Sequence, residues 1–266
     1  MDNNNSHSDV PKDHPRYLSL EFRHKIIEGM HDKIVAEAGL IAHGRGECFD
    51  YILGEKTNKA AEESIKAAAA MILLAEHPII SVNGNVAALC PKELVELSKV
   101  TETPLEINLF YRKEGRIEAI EKILEINGAE RILGLDESRM VEIEELSSNR
   151  RRVDPNGIKI ADVVFVPLED GDRTEALKRL NKKVVTVDLN PVSRTSLWAD
   201  ITIVDNIVRA LPLLVKLTQE LKTKSREKLT EIVEKFNNRE NIQHSLDLII
   251  EHVKDQKQNA FKNVKL

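Results

Sequence analysis

Short hydrophobic runs alternate with longer amphipathic segments along most of the chain. Runs rich in Val, Ile and Leu predict strands at residues 79–82, 105–110, 131–135, 163–166, 184–187 and 201–204. Helices are predicted between them at residues 57–76, 91–100, 112–126 and 207–221, with a shorter helix that ends at Leu180. Because continuous apolar runs are typical of strands buried on both faces, the alternation predicts an α/β protein with a doubly wound, mostly parallel sheet.

Both ends of the chain differ from this pattern. Residues 1–15 are polar and predicted to be disordered, and a first helix is predicted near Ser19. Beyond residue 221 the sequence is charged and helical, with an apolar stripe that includes Leu229 and Phe236. We therefore predict a disordered segment (1–15), one α/β domain (16–221) and a helical extension (222–266) that packs either on this domain or on another subunit.

Polar residues directly follow two predicted strands and also occupy the loop between them. Asp188 and Asn190, with Leu189 between them, follow the first strand, Asp205 and Asn206 follow the second, and Arg194 and Thr195 lie on the loop. In parallel sheets, ligands lie outside the carboxyl ends of the strands, so this edge is predicted to face a ligand. Each residue taken alone also fits a plain turn.

A glycine-containing segment, residues 39–47, supplies further candidates. Gly44 and Gly46 flank Arg45, which predicts a loop whose guanidinium either clamps an anion or is solvated. His43 is either a proton-transfer group or a hydrogen-bonded structural residue.

Two more turns follow predicted strands. Asn83, Gly84 and Asn85 precede an Ala-rich segment, so their backbone N–H groups either point at an anion or form a plain turn. Asp170 and Asp172 either bind Mg²⁺ or cap the helix that follows. Residues 136–159 are polar and predicted to form a surface excursion over the sheet edge.

Composition narrows the classes of function. The net charge of −5 argues against a nucleic-acid-binding surface, and the run at residues 150–152 is interpreted as a solvated arginine cluster. Cys48 and Cys90 cannot form a disulfide framework or a four-ligand zinc site, which indicates a reduced intracellular protein. The polar N-terminus is not a secretory signal, and no apolar run is long enough for a membrane span. We therefore expect a cytoplasmic protein.

Long motifs spread along the chain carry a family resemblance. They are HPRYLSLEFR, GLIAHGRGECFDYILGE, LLAEHPIISVNGNVAAL, LEINLFYR, ADVVFVPLEDGDRTEAL and VDLNPVSRTS with ITIVDNIVRA, in this order. Together they resemble the archaeal phosphopantothenate synthetases over roughly residues 11–218. The resemblance implies a Rossmann-like fold, a homodimer, and ATP-dependent joining of 4-phosphopantoate to beta-alanine. The implied products are 4′-phosphopantothenate, AMP and diphosphate, in coenzyme A biosynthesis.

The resemblance also implies which residues contact ATP. By matching motif they are Arg23, Arg45, Asp188, Leu189, Asn190, Arg194, Thr195, Asp205 and Asn206. Attack of a carboxylate on the α-phosphate brings two anions together, so the site must neutralise charge. Arg23, Arg45, Arg194 and Mg²⁺ are the groups expected to do so.

The roles of other candidates follow from the chemistry that the resemblance implies. We expect the turn of Asn83, Gly84 and Asn85 to hold the substrate phosphate, while Asp188 and Asn190 contact the nucleotide. Beta-alanine must attack as a neutral amine, so a base is needed; the candidates are His43, Glu47 and Asp172.

Some segments depart from the family pattern: the Asn-rich start, residues 137–159, Cys48, Cys90 and the tail past Leu221. Two alternatives stay open. One is a different ATP- or NAD-using enzyme on the same fold, although the missing GxGxxG fingerprint argues against NAD. The other is a non-catalytic nucleotide sensor whose C-terminal helices contact a partner.

Overall fold

The computed structural model describes residues 11–14, 16–146, 148–260 and 262. Its strands are β1 (Pro78–Val82), β2 (Leu105–Ile107), β3 (Ile132–Leu133), β4 (Val141–Glu142), β5 (Arg152–Val153), β6 (Val163–Phe165), β7 (Lys183–Val187) and β8 (Ile201–Ile203). Its α-helices are α1 (Tyr17–His31), α2 (Glu37–Leu53), α3 (Lys59–Leu74), α4 (Gly84–Leu89), α5 (Pro91–Thr101), α6 (Arg116–Ile126), α7 (Gly171–Arg179), α8 (Arg194–Trp198), α9 (Ile207–Leu221), α10 (Arg226–Lys235) and α11 (Asn238–Asn259).

Six of these strands form one parallel sheet in the order β3-β2-β1-β6-β7-β8. Side chains alternate between its faces, as strand geometry requires. Ile80 and Phe165 face a core shared with α3, α5 and α9, whereas Ile79 and Val164 face a second core that includes Leu177 of α7. Both faces are therefore covered, which confirms the predicted α/β, doubly wound architecture. The strand order reverses between β1 and β6, so the connections that follow these two paired strands leave in opposite directions and a crevice forms at the carboxyl ends.

The prediction that residues 39–47 form a loop is wrong, because they lie within α2. The helix continues because its last turn buries Leu53 against Leu189 and Val204, which offsets the modest cost of glycines inside a helix. Gly39 serves close packing: a Cβ atom there would lie 2.3 Å from Oδ1 of Asn85. The glycine lets α2 approach the turn after β1.

The polar segment 136–159 is also more ordered than a surface excursion. Strands β4 and β5 pair antiparallel within it and form a hairpin. Ile143, Val153 and Ile158 are buried in the core on the second face of the sheet. The sequence did not reveal these buried residues because they are widely spaced within a mostly polar segment.

The C-terminal helices pack on the α/β domain of the same chain. Leu229 of α10 and Ile242 of α11 are buried. The Nδ2 atom of Asn241 donates to the carbonyl of Ala60 at 2.9 Å, and Oδ1 of Asn238 accepts from the backbone N–H of Thr202 at 2.8 Å. Of the two alternatives for the extension, packing on its own domain is therefore the one observed.

Two predictions concern the ends and the surface of the chain. The disorder predicted for residues 1–15 falls mostly on residues 1–10 and 15, which lie outside the described residues. Across the residues that the structure describes, none of the helices combines the length and the apolar character needed to cross a membrane.

Candidate functional site

A cleft of about 650 Å³ opens at the carboxyl ends of β1, β6 and β7, where the strand order reverses. Most of the predicted site residues line it, although they come from distant parts of the chain. They are His43, Arg45, Glu47, Asn83, Gly84, Asn85, Asp188, Leu189, Asn190, Arg194, Thr195 and Asn206. Three predicted residues, Arg23, Asp172 and Asp205, do not line the cleft.

One side of the cleft, which we name the α2 end, is formed by His43, Arg45, Glu47, Asp188 and Asn190. Among the described residues, Arg45 makes no hydrogen bond or ion pair. Burial raises the pKa of Asp188, while a hydrogen bond from a neighbouring serine and the charge of Arg45 act in the opposite direction. The guanidinium of Arg45 is therefore available to an incoming anion.

Arg23 acts on this end from behind Glu47. Its Nη2 atom lies 2.7 Å from Oε1 of Glu47, and Tyr51 contacts the same carboxylate. Burial raises the pKa of Glu47, but hydrogen bonds from Arg23 and Tyr51 outweigh it, so the pKa is lowered. Burial also lowers the pKa of His43, against the charge of Glu47. The imidazole is therefore neutral at pH 7 and able to accept a proton.

Asp205 belongs to a buried ion-pair network beneath the α2 end. Its Oδ1 atom lies 2.6 Å from Nη2 of Arg209, and its Oδ2 atom accepts from Oγ1 of Thr57 at 2.6 Å. Asp50 of α2 pairs with the same guanidinium and accepts from Nδ2 of Asn206 at 2.7 Å. Because Asp205 is fully buried, its contacts fix the position of Asn206 at the cleft.

Arg194 lies at the rim of the cleft, with its side chain 59% exposed. Its guanidinium pairs with Asp172 at 2.6 Å and with Glu175 at 2.7 Å. Asp170 caps α7 by accepting from the backbone N–H of Arg173 at 2.9 Å, so the capping alternative is the one observed for Asp170. No group of three or more His, Cys, Asp or Glu side chains is placed to hold a metal ion in the described part of the chain.

The turn of Asn83, Gly84 and Asn85 joins the two sides of the cleft. Nδ2 of Asn83 donates to the carbonyl of Leu168 at 3.2 Å, while Nδ2 of Asn85 donates to that of Gly39 at 2.9 Å. Both side chains are thus used to hold the turn. The N–H groups of Gly84 and Asn85 lie in the first turn of α4, where helix geometry provides no acceptor within the helix.

The opposite side, the hairpin end, contains Phe110, Arg116, Arg150, Glu169 and Asp170. The interpretation of residues 150–152 as a solvated cluster is wrong for Arg150, which is only 8% exposed. Its Nη1 atom contacts the carboxylates of Glu169 and Asp170. Its guanidinium carbon lies 5.8 Å from the centre of the Phe110 ring.

Two further arginines support the hairpin end. Arg173 is almost completely buried and pairs with Glu169 at 2.8 Å. Arg116 is buried too, and its Nη2 atom donates to the carbonyl of Ile34 at 2.7 Å. Burial lowers the pKa of Arg150 to about 10, and repulsion from Arg173 adds to this effect. The acidic residues after β6 indicate that cationic side chains lie nearby, but the sequence does not show which arginines these are.

Comparison with known proteins supports the resemblance carried by the motifs. The family model described as phosphopantothenate/pantothenate synthetase matches residues 60–252, which extends past residue 218, where the recognisable motifs end. The 4-phosphopantoate–beta-alanine ligase of Thermococcus kodakarensis is 56% identical over 247 residues, 92% of each chain. The ligase of the same name from Methanosarcina mazei is 46% identical over 247 residues, 93% of this chain and 96% of its own length. The chain therefore belongs to the phosphopantothenate/pantothenate synthetase family.

Proposed function

We propose that this protein is an ATP-dependent ligase that condenses 4-phosphopantoate with beta-alanine in coenzyme A biosynthesis. The products are 4′-phosphopantothenate, AMP and diphosphate, and the intermediate is an acyl-adenylate. One observation carries the proposal: in a member of this family, the turn of Asn83, Gly84 and Asn85 lines the same cleft at the switch point of the sheet as Arg45, which makes no hydrogen bond or ion pair among the described residues. Relatives named 4-phosphopantoate–beta-alanine ligase support the choice of substrates.

ATP binds at the α2 end in this proposal. Arg45 supplies a planar cation for the phosphates, since no described residue occupies its guanidinium. Asp188 and Asn190 contact the ribose or base from the tip of β7, as Asn206 does from the start of α9. Leu189, Arg194 and Thr195 complete the contacts, while Arg23 and Asp205 act through Glu47 and Asn206.

The phosphate of 4-phosphopantoate binds at the turn of Asn83, Gly84 and Asn85. The N–H groups of Gly84 and Asn85 are the donors for it, because they lie in the first turn of α4, where the helix provides no acceptor for them. The acid carboxylate then faces the α-phosphate of ATP. Attack forms the carboxylate–phosphorus bond, diphosphate leaves, and the charge of Arg45 offsets the repulsion between the two anions.

Mg²⁺ accompanies ATP in this proposal and would be held mainly by the phosphates. Asp170 already pairs with Arg150, and Asp172 with Arg194. Carboxylates engaged in this way fit an ion that keeps most of its ligands from phosphate and water, as Mg²⁺ does.

Beta-alanine attacks the adenylate carbonyl as a neutral amine, and AMP leaves. His43 is the strongest of the three candidate bases, because its lowered pKa leaves it unprotonated at neutral pH. Glu47 has a lowered pKa and is a weaker base, and Asp172 is outside the lining of the cleft. Replacement of His43 by Gln should slow amide formation more than release of diphosphate, and the two products are measured separately within a single turnover.

Product analysis tests the reaction directly. The purified protein is mixed with ATP, Mg²⁺, 4-phosphopantoate and beta-alanine, and AMP is resolved from ADP. Formation of AMP, diphosphate and 4′-phosphopantothenate together is the expected result. ADP and phosphate would instead indicate an acyl-phosphate route. ATP binding without any turnover would favour a nucleotide sensor.

Replacement of Arg45 by Ala should raise the KM for ATP and lower kcat/KM by about 10- to 100-fold, because charge-assisted hydrogen bonds contribute about 1.5–3 kcal/mol. The melting temperature should hardly change, since the guanidinium has no partner among the described residues. Replacement of the exposed Cys48, three positions away on α2, by Ala is the matched control and should leave ATP use unchanged. Normal ATP use by the Arg45 variant would contradict this placement of the nucleotide.

The proposal also includes the setting of the enzyme. We place it in the cytoplasm as a homodimer, as the resemblance to archaeal phosphopantothenate synthetases implies. Light scattering after size-exclusion chromatography measures the mass of the particle. A mass of about twice the 30.1 kDa chain is expected.

A further inference from the structure

Arg150 is a buried, charged residue that lines the cleft, and hydrophobic packing does not explain why a guanidinium lies there. It is carried by the hairpin, 92% buried, yet it lines the cleft between β1 and β6. Its Nη1 atom contacts Glu169 and Asp170, while its Nε atom is buried and has no hydrogen-bond partner among the described residues. Burying a guanidinium is costly, and leaving one of its donors unpaired adds to that cost.

The surroundings of Arg150 fit a second anion rather than another part of ATP. Arg150 reaches Glu169 and Asp170, which directly follow Leu168, the residue whose carbonyl is bonded to Asn83. Arg116 is close enough for the positive charges of Arg116 and Arg150 to repel each other, which helps to lower the pKa of Arg150. A Cβ atom on Gly84 would lie 2.6 Å from Nη2 of Arg116. Thus two buried arginines and the turn after β1 face the same end of the cleft.

Resting on the function proposed above, we infer that Arg150 binds the phosphate of 4-phosphopantoate and thereby sets the preference for this acid over unphosphorylated pantoate. The guanidinium presents several N–H donors in one plane, which suits a phosphate dianion. Glu169, held by Arg173, fixes the orientation of Arg150. Asp170 is the more exposed of its two partners, so the phosphate takes the place of Asp170 when the acid binds.

The other arginines of the cleft fit this role less well. Arg194 lies at the rim, is 59% exposed and pairs with two carboxylates. Arg45 belongs to the α2 end, near Asp188. The guanidinium of Arg116 donates to the backbone carbonyls of Lys33, Ile34 and Tyr111. Arg116 therefore braces the hairpin end, whereas Arg150 is held by two carboxylates, of which the more exposed Asp170 can give way to a ligand.

The test compares two ligands that differ only in the phosphate. Calorimetry measures the dissociation constants of 4-phosphopantoate and pantoate for the wild-type protein, for Arg150→Gln and for Arg150→Lys. We expect the ratio of the two constants to change by about 10- to 100-fold in Arg150→Gln, because only the phosphorylated acid loses a charge-assisted contact. Arg150→Lys keeps the charge but loses the planar fork, so a smaller change is expected.

Arg151→Gln provides the matched control. Arg151 is the next residue, is exposed and pairs with Glu142 at 3.1 Å, outside the cleft. It should leave both dissociation constants unchanged. ATP affinity should be the same in all four proteins, and thermal unfolding shows whether each variant is folded.

Three results would overturn the inference. The first is an unchanged ratio in a folded Arg150→Gln protein. The second is equal weakening of both acids, which indicates a structural role. The third, should Arg150→Gln not fold, is a wild-type ratio in Arg150→Lys.

The same measurements separate this inference from the proposed function, because binding needs no turnover. If the wild-type protein binds 4-phosphopantoate through Arg150 but forms no AMP, the ligase proposal fails and the phosphate site remains. If it forms AMP while Arg150 has no effect on the ratio, the reaction stands and the inference fails.

Discussion

The two ends of the cleft are built in different ways. At the α2 end, most polar residues directly follow a strand or share one helix, and the charges below them form a compact network around Arg209. At the hairpin end, the charges come from distant segments. Arg150 of the hairpin and Arg173 of α7 both pair with Glu169, and the charge of Glu106 of β2 acts on Arg173. These groups come together only because the chain folds back across the sheet.

The two ends therefore differ in whether the arginine that faces the ligand is already bound to other side chains. Arg45 at the α2 end makes no hydrogen bond or ion pair among the described residues, whereas Arg150 at the hairpin end already contacts two carboxylates. An incoming anion can bind Arg45 without breaking a contact. At Arg150 it must displace one, so binding at the hairpin end discriminates more strongly between ligands of different charge.

The largest effect on stability is expected where the α2 end is held together. Replacement of Arg209 by Met should lower the free energy of unfolding by about 3–5 kcal/mol, because it leaves the carboxylates of Asp50 and Asp205 buried without a cation. Arg179→Met is the matched control, since Arg179 also pairs with a residue four positions before it but is 62% exposed. The free energy of unfolding of the control variant should fall by less than about 1 kcal/mol.

Urea unfolding at neutral pH measures both values. Equal losses in the two variants would show that burial does not strengthen the Arg209 network. The comparison between the ends would then lose its energetic basis at the α2 end.

The sequence predicts the α2 end better than the hairpin end because local patterns carry its information. Buried runs followed at once by Asp188 or by Asp205 and Asn206 identify strand tips, and helix α9 has the predicted bounds of residues 207–221. The glycines near Arg45 were misleading: helix propensity favoured a loop, but burial of Leu53 stabilises the helix. Tertiary packing thus overrides a local signal even in the better-predicted region.

The hairpin end could not be predicted, since its partners are separated by tens of residues. Arg150 and Arg151 are neighbours in one basic run, yet Arg150 is buried in the cleft and Arg151 is exposed on the surface of the hairpin. Which arginine points inward depends on the pairing of β4 with β5. No property of the run itself distinguishes the two residues.

The hairpin end should also make stability depend on pH through Glu106. Burial raises the pKa of Glu106 to about 7 from an ordinary value of 4.5, although N–H groups of Ile158 and Asp154 and the charge of Arg173 act against this. A raised pKa means that the stability contributed by this group is fully present below pH 4.5 and is lost as the pH rises through about 7.

Glu106→Gln, which does not titrate, isolates this effect. The free energy of unfolding of the wild-type protein minus that of the variant should fall by about 3 kcal/mol between pH 4.5 and pH 8. Urea unfolding of both proteins across this range gives the difference, in which the titration of other groups cancels. A flat difference would show that the hairpin end contains no strongly perturbed carboxylate, which would make the two ends more alike than we infer.

The smallest effect is expected from glycines on the helix that forms the α2 end. Gly44→Ala should raise the free energy of unfolding by about 0.5–1 kcal/mol, because alanine favours the helix and no atom lies within 4 Å of the new Cβ position. Gly39→Ala on the same helix should instead destabilise, since its Cβ would lie 2.3 Å from Oδ1 of Asn85. If thermal unfolding shows that Gly44→Ala stabilises the protein and Gly39→Ala destabilises it, α2 is a regular helix packed closely against the turn after β1. Destabilisation by both would show that helix propensity does not set the effect at Gly44 and would contradict the prediction for this position.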